Sequence, residues 1–165
     1  MTTHSRIAPA VARALEGKGY TTLTEVQQAV LTDEAEGADL LVSAQTGSGK
    51  TVAFGLAIAP TLLGDDERFD HAAAPLALIV APTRELAHQI GLCIRVFTRG
   101  MKLFHTVVYG GAPYGPQIQQ LVRGVDILVA TPGRLLDHMK RGTVQLDNVE
   151  SFILDEADRM LDMGF

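Results

Sequence analysis

An α/β domain built on a mainly parallel sheet is the fold that this chain of 165 residues predicts. Three observations carry the prediction. Short, continuously apolar runs rich in Val, Ile and Leu recur along the chain, as strands covered on both faces require. Amphipathic stretches of helical length separate them, so strand and helix alternate and the crossovers are expected to be right-handed. With 47% hydrophobic and 20% charged residues, the composition is that of a soluble globular domain, and residues 1–165 are read as one.

The first helices are expected over 7–17 and 24–36, the second opened by Thr24 and Gln27 in an S/T-x-x-Q capping box. DLLVSA (39–44) is the first predicted strand, and a glycine-rich turn leads from it into a helix over 50–63. The acidic stretch GDDERFDHAAA (64–74) is predicted to be a solvated surface loop. PLALIVA (75–81) is the next strand, with Thr83 placed to cap a helix over 84–99. FHTVVY (104–109) precedes the Gly110–Gly111 turn and a helix over 114–123. VDILVA (125–130) leads into a helix over 132–141, where Thr131 is placed to cap and Pro132 suits the first helical position. SFILD (151–155) is the last strand.

Several function classes are disfavoured at once. No apolar run reaches membrane-spanning length, and MTTHSRIAP lacks the layout of a signal peptide, so no membrane partner is expected. The lone Cys93 cannot form an internal disulfide, which points to a reducing cytoplasm. His4, His71, His88, His105 and His138 show no metal-ligand spacing, and no zinc site is expected. The net charge of −5 gives no support to nucleic-acid binding, which must therefore be argued from local sites.

In parallel α/β sheets ligands bind beyond the carboxyl ends of the strands. AQTGSGKT (44–51) lies there after the first strand. Gly47 and Gly49 allow a tight turn whose N–H groups surround phosphate oxygens. Lys50, expected to be exposed when the loop is empty, reaches the outer phosphates, and the Thr51 hydroxyl can ligate Mg²⁺. Ala44 stands where the usual pattern has its first glycine, so the motif is a relaxed one. At the tip of the last strand, Asp155 would hold a hydrated Mg²⁺ and Glu156 would orient or deprotonate an attacking water. Together these motifs imply a nucleotide hydrolase.

The order of motifs resembles the DEAD-box RNA helicases. AQTGSGKT is similar to their motif I, DEAD (155–158) to motif II, APTRELAHQ (81–89) to motif Ia, and TPGR (131–134) to motif Ib. Gly110–Gly111 is similar to the GG motif and GYTTLTEVQ (19–27) to the adenine-reading Q motif. The likeness runs from about residue 5 to the end of the chain. It implies the first of two RecA-like domains, a three-layer αβα sandwich of the P-loop NTPase kind that clamps ATP with its partner domain. It also implies ATP and Mg²⁺ as ligands, with RNA held by its backbone irrespective of sequence.

Carried over by position, the nucleotide contacts fall on Tyr20, Thr22 and Gln27, and on Ala44, Gln45, Thr46, Gly47, Ser48, Gly49, Lys50 and Thr51. The catalytic residues fall on Lys50, Asp155 and Glu156, with Thr51 and Asp155 holding Mg²⁺, the latter through water. The RNA contacts fall on Pro82, Thr83, Arg84, Gly110, Gly111, Thr131, Pro132, Gly133 and Arg134. Helix starts offer N–H groups to phosphate, and each arginine adds a charged fork. Departures are Leu23 and Glu25 in place of the family's prolines, and a missing upstream aromatic that would fall near Thr2. Tyr20 is read as a packing residue or as a substitute for stacking on adenine, and Gln27 is open to two readings, adenine contact or capping box.

Two alternatives stay open: a P-loop NTPase acting on DNA or a non-nucleic-acid substrate, and a non-catalytic nucleotide-binding module. The chain is expected to be a fragment, incomplete at its C-terminal end, because the family's Ser-Ala-Thr motif and second RecA-like domain do not follow. Weak binding of ATP and RNA without turnover is the corresponding expectation.

Overall fold

A computed structural model describes residues 7, 9–20, 22–32, 34–35, 39–42, 49–63, 74–101 and 103–164. Its elements are α1 (Pro9–Gly17), α2 (Glu25–Ala29), α3 (Lys50–Leu63), β1 (Ala77–Val80), α4 (Arg84–Met101), β2 (His105–Val108), α5 (Tyr114–Arg123), β3 (Ile127–Ala130), α6 (Pro132–Arg141), β4 (Ser151–Leu154) and α7 (Ala157–Asp162). The strands form one parallel sheet in the order β2-β3-β1-β4. The helices predicted over 50–63, 114–123 and 132–141 match α3, α5 and α6 to the residue.

Burial explains why the strands are uniformly apolar. Every residue of the central strands β1 and β3 is buried, because helices cover both faces. Ala77 and Ile79, with Ile127 and Val129, join one core beneath α1, α3 and α4. Their alternates Leu78 and Val80, with Leu128 and Ala130, join a second core beneath α5, α6 and α7. The chain is therefore layered helix, sheet, helix. Each large aliphatic side chain buried this way contributes about 1.5–3 kcal/mol. The edge strands are less enclosed, and on β4 Phe152 and Leu154 are exposed.

Two expectations change. DLLVSA was expected to be a strand; residues 39–42 of it carry none, with Leu40, Leu41 and Val42 all exposed, and residues 43–44 lie outside the described ones. An apolar run becomes a strand only where a neighbour takes its hydrogen bonds, and that pairing is not a local property. The helix expected over 24–36 stops at Ala29. There the Thr32 hydroxyl donates to the Ala29 carbonyl at 3.2 Å, and the Leu31 N–H tightens the turn onto Gln28 O at 3.1 Å. Such local side-chain bonds compete with helix continuation.

Two histidines are drawn into this framework. His105 meets the Thr98 hydroxyl at 3.2 Å, and His138 is fully buried under α5. Both titrate below their ordinary value of 6.5, chiefly because burial opposes a charged imidazole. Arg95 acts in the same direction on His105, as do Arg134 and Arg141 on His138, while Asp137 opposes them weakly. The unfolded chain therefore binds these protons more readily, so their contribution is complete above 6.5 and is lost as pH falls below it. Urea unfolding at about pH 7.5 and about pH 5.5 should show lower stability at the acid value. Replacing both histidines by glutamine should flatten that slope; an unchanged slope would contradict their neutral burial.

Candidate functional site

The carboxyl ends of all four strands open on one edge of the sheet, and most of the described site residues collect there. Lys50, the first residue of α3, places its Nζ 2.8 Å from Asp155 Oδ1, just past the end of β4. Asp155 is 3% exposed, and its Oδ2 is buried without a hydrogen-bond partner. A buried carboxylate oxygen left unsatisfied is costly. That orphan acceptor is of the kind a hydrated Mg²⁺ takes, and the half-buried Thr51, next to Lys50, carries a hydroxyl that could supply a second oxygen. The expectation that Lys50 is exposed is corrected: it is 26% exposed, because the acid draws it inward.

Gln27 reaches the same place from α2. Its Oε1 accepts from Thr24 N at 3.0 Å while Thr24 Oγ1 accepts from Gln27 N at 3.4 Å, completing the capping box. Its Nε2 also donates to Gly49 O at 3.1 Å, tying the segment to the residue just before α3. One donor hydrogen and one acceptor lone pair of the amide remain, the pair that an adenine edge needs. Gly49 has φ +82°, and a Cβ there would overlap Gln27 Nε2 and crowd Thr24 Oγ1. Glycine is required on both counts.

Glu156 follows Asp155 in the left-handed region, φ 52° and ψ 50°, the only non-glycine residue there among those described. Such a conformation costs about 1–3 kcal/mol and collects at functional positions. Its carboxylate is half-buried, held loosely by Arg159 at 3.5 Å. Asp158, in the first turn of α7, is exposed.

A second group lies along the ends of β1, β2 and β3. Thr83 Oγ1 accepts from Leu86 N at 3.3 Å and caps α4, as its position predicts. Arg84 is exposed, with Nη1 3.7 Å from where a Cβ on Gly111 would stand. Pro82 is buried behind it, while Gly110 and Gly111 are open. Pro132 takes the first position of α6, and Gly133 is exposed after it. Thr131 occupies the N-cap of α6 but makes no capping bond with its side chain.

Arg134 departs most from the sequence reading. Instead of a solvated fork it is 8% exposed, with Nη1 2.8 Å from Ala112 O and 3.1 Å from Gln117 Oε1. Its guanidinium lies 3.9 Å from the centre of the Tyr114 ring. Arg141 lies 3.9 Å from the same ring, and Tyr114 donates its hydroxyl to Asp137 at 2.8 Å. Gln117 and Thr143, which the sequence reading did not single out, and His138, which it read only as lacking metal-ligand spacing, complete this cluster. The one local signal is a glutamine and a histidine on the inward faces of otherwise amphipathic helices.

Tyr20 and Thr22 are both exposed, with the Tyr20 N–H closing α1 on Leu15 O at 3.0 Å. Ala44, Gln45, Thr46, Gly47 and Ser48 lie outside the described residues, as do residues 64–73 of the stretch expected to be a surface loop.

A parallel αβα sandwich with lysine, acid pair and glutamine converging on one strand edge defines a RecA-like nucleotide-binding class of domain. The profile of the DEAD/DEAH box helicase family matches residues 24–165, and the chain belongs to that family. It is 42% identical over 159 residues to DEAD-box ATP-dependent RNA helicase 9 of Oryza sativa subsp. japonica, covering 96% of this chain and 25% of that protein. It is 42% identical over 160 residues to ATP-dependent RNA helicase DbpA of Bacillus subtilis (strain 168), covering 97% of this chain and 32% of that one. The crystal structure of a hypothetical ATP-dependent RNA helicase from Sulfolobus tokodaii superposes with a TM-score of 0.82 at 39% identity, over 96% of this chain and 44% of that one. The chain thus spans between a quarter and a third of the length of these two curated relatives.

The ion pair makes a stability prediction. Lys50→Ala leaves Asp155 buried without its cation and should destabilise the nucleotide-free chain by about 2–3 kcal/mol, less than a fully enclosed pair because Lys50 is partly wetted. Adding Asp155→Asn to it should recover most of that loss. Urea melts decide the point, and an unchanged midpoint in Lys50→Ala would contradict the coupling.

Proposed function

We propose that this chain is the ATP-binding domain of an ATP-dependent RNA helicase, coupling ATP binding and hydrolysis to the opening or remodelling of RNA duplexes. The convergence of Gln27, Gly49, Lys50 and Asp155 carries the reading. Gln27 would pair with the adenine edge through its unused donor and acceptor. Lys50 would exchange Asp155 for the outer phosphates, with the helix dipole of α3 behind it. Asp155 and Thr51 would hold Mg²⁺, which when bound neutralises charge on the phosphates. Glu156 would orient the attacking water and take its proton.

RNA would lie across the ends of β1, β2 and β3, on the exposed N–H groups at the starts of α4 and α6 and on the open Gly110–Gly111 turn. Arg84 is the exposed cation there. Arg134 adds a fixed positive charge from beneath instead of a direct fork. Grip through backbone and charge is independent of base sequence. Hydrolysis would need a further cation at the transition state, since Lys50 is the basic group that the described residues bring to Asp155. An arginine supplied from outside is worth about 10³–10⁵ in rate. The second RecA-like domain of the family is its source in this proposal.

Fluorescent ATP and GTP analogues should bind with ATP favoured, because each unmatched polar group costs about 1–3 kcal/mol. Gln27→Ala should narrow the preference. Single-stranded RNA should bind weakly and without sequence preference, with affinity falling steeply as salt rises. Equal affinity for both nucleotides, or strong preference for one RNA sequence, would overturn the assignment. Excess RNA should leave ATP turnover by these residues near its basal rate.

A further inference from the structure

Beneath the proposed RNA face lies a cluster of buried polar groups. Gln117 is 7%, Arg134 8% and His138 0% exposed. Burying a cation and an amide is costly, and apolar side chains of similar size often stabilise a fold better. What the cluster supplies instead is fixed geometry. Gln117 Nε2 donates to Tyr109 O at 3.0 Å, holding the chain where β2 runs into the Gly110–Gly111 turn. Its Oε1 accepts from Arg134 Nη1 at 3.1 Å and meets His138 Nε2 at 2.9 Å, both from α6. Arg134 Nη1 also donates to Ala112 O at 2.8 Å, on the far side of the same turn. One amide and one guanidinium thus bind the turn after β2 to the helix after β3.

The hydrogen positions follow from the partners. Gln117 Oε1 can only accept, so His138 carries its proton on Nε2. Nδ1 must then accept from the Thr143 hydroxyl at 2.8 Å, whose single proton is shared with His138 O at 3.1 Å. Thr143 lies past the C-terminal end of α6, about 15 Å from its start by helix rise.

We infer that Gln117, His138 and Thr143 are positioning residues that set the spacing between the Gly110–Gly111 turn and the start of α6, so that an RNA backbone meets a preformed surface. The inference rests on the proposed RNA reading of this face. A surface already ordered needs no further ordering when RNA binds, and loosening it lowers affinity without removing a contact.

The test uses the whole chain and a fluorescent single-stranded oligouridylate at low salt, read by anisotropy. Gln117→Leu should weaken RNA binding about tenfold, keep the salt slope of the parent, and leave ATP-analogue affinity unchanged. Thr143→Val, remote from the RNA face, should weaken it about threefold, and Thr143→Ser should restore parent affinity. Hydrogen exchange across residues 109–112 should quicken in Gln117→Leu and in Thr143→Val, with β1 unchanged. Parent RNA affinity in both variants overturns the inference, as does an equal loss of ATP affinity. A salt slope reduced by about one contact would overturn it too, by showing direct phosphate contact. If Gln117→Leu does not fold, the Thr143→Val and Thr143→Ser pair decides alone. Failure of the parent chain to bind RNA would refute the RNA reading instead, and the exchange rates would still decide whether the clamp exists.

Discussion

A buried carboxylate just past β4, an edge strand among the described residues, organises the end of the molecule where the nucleotide is proposed to bind. Asp155 follows β4, whose register against β1 pairs Val80 with Leu154, and its own N–H continues the ladder onto Val80 O at 2.9 Å. The strand therefore delivers the acid into a closed setting, where charge without a partner is expensive. Lys50 answers one oxygen and nothing in the described chain answers the other. The first turn of α3 is drawn to the sheet edge by that charge, and Gln27 ties α2 to the residue just before it. Binding a polyphosphate and its metal ion would then replace one set of compensations with another, without creating a charged pocket from nothing.

Much of this was legible beforehand because it is local. Three helices were readable to the residue from hydrophobic period and, for α6, from Pro132 at its first position. The central strands were readable because burial on both faces makes them uniformly apolar. What was not legible depends on contacts between distant parts of the chain. Arg134 looks the same in sequence whether it faces solvent or Gln117, and only the packing of α5 against α6 decides. Lys50 likewise gives no local sign that it pairs with an acid more than a hundred positions away. DLLVSA has the composition of a strand, but pairing is a property of its neighbours.

Stability and activity pull apart at two points. Glu156 holds a left-handed backbone that glycine would adopt without strain, yet glycine would remove the proposed base. Arg134 is buried against the Ala112 carbonyl and the Gln117 amide oxygen, where apolar packing would suit the fold better. Both costs fall at the strand edge and concern residues that the proposed chemistry needs. Such places are where consistency between local preference and global fold is expected to fail.

One strand edge is proposed to carry the nucleotide site. The most direct test is a nitrogen–proton correlation spectrum of the labelled chain as Mg²⁺ and ATP are added. Shifts should concentrate at Gly49, Lys50, Thr51, Asp155, Glu156 and the Gln27 side-chain amide, with the opposite edge around Phe104 and Gly124 unmoved. Shifts centred on that opposite edge, with Lys50 and Asp155 silent, would contradict the account.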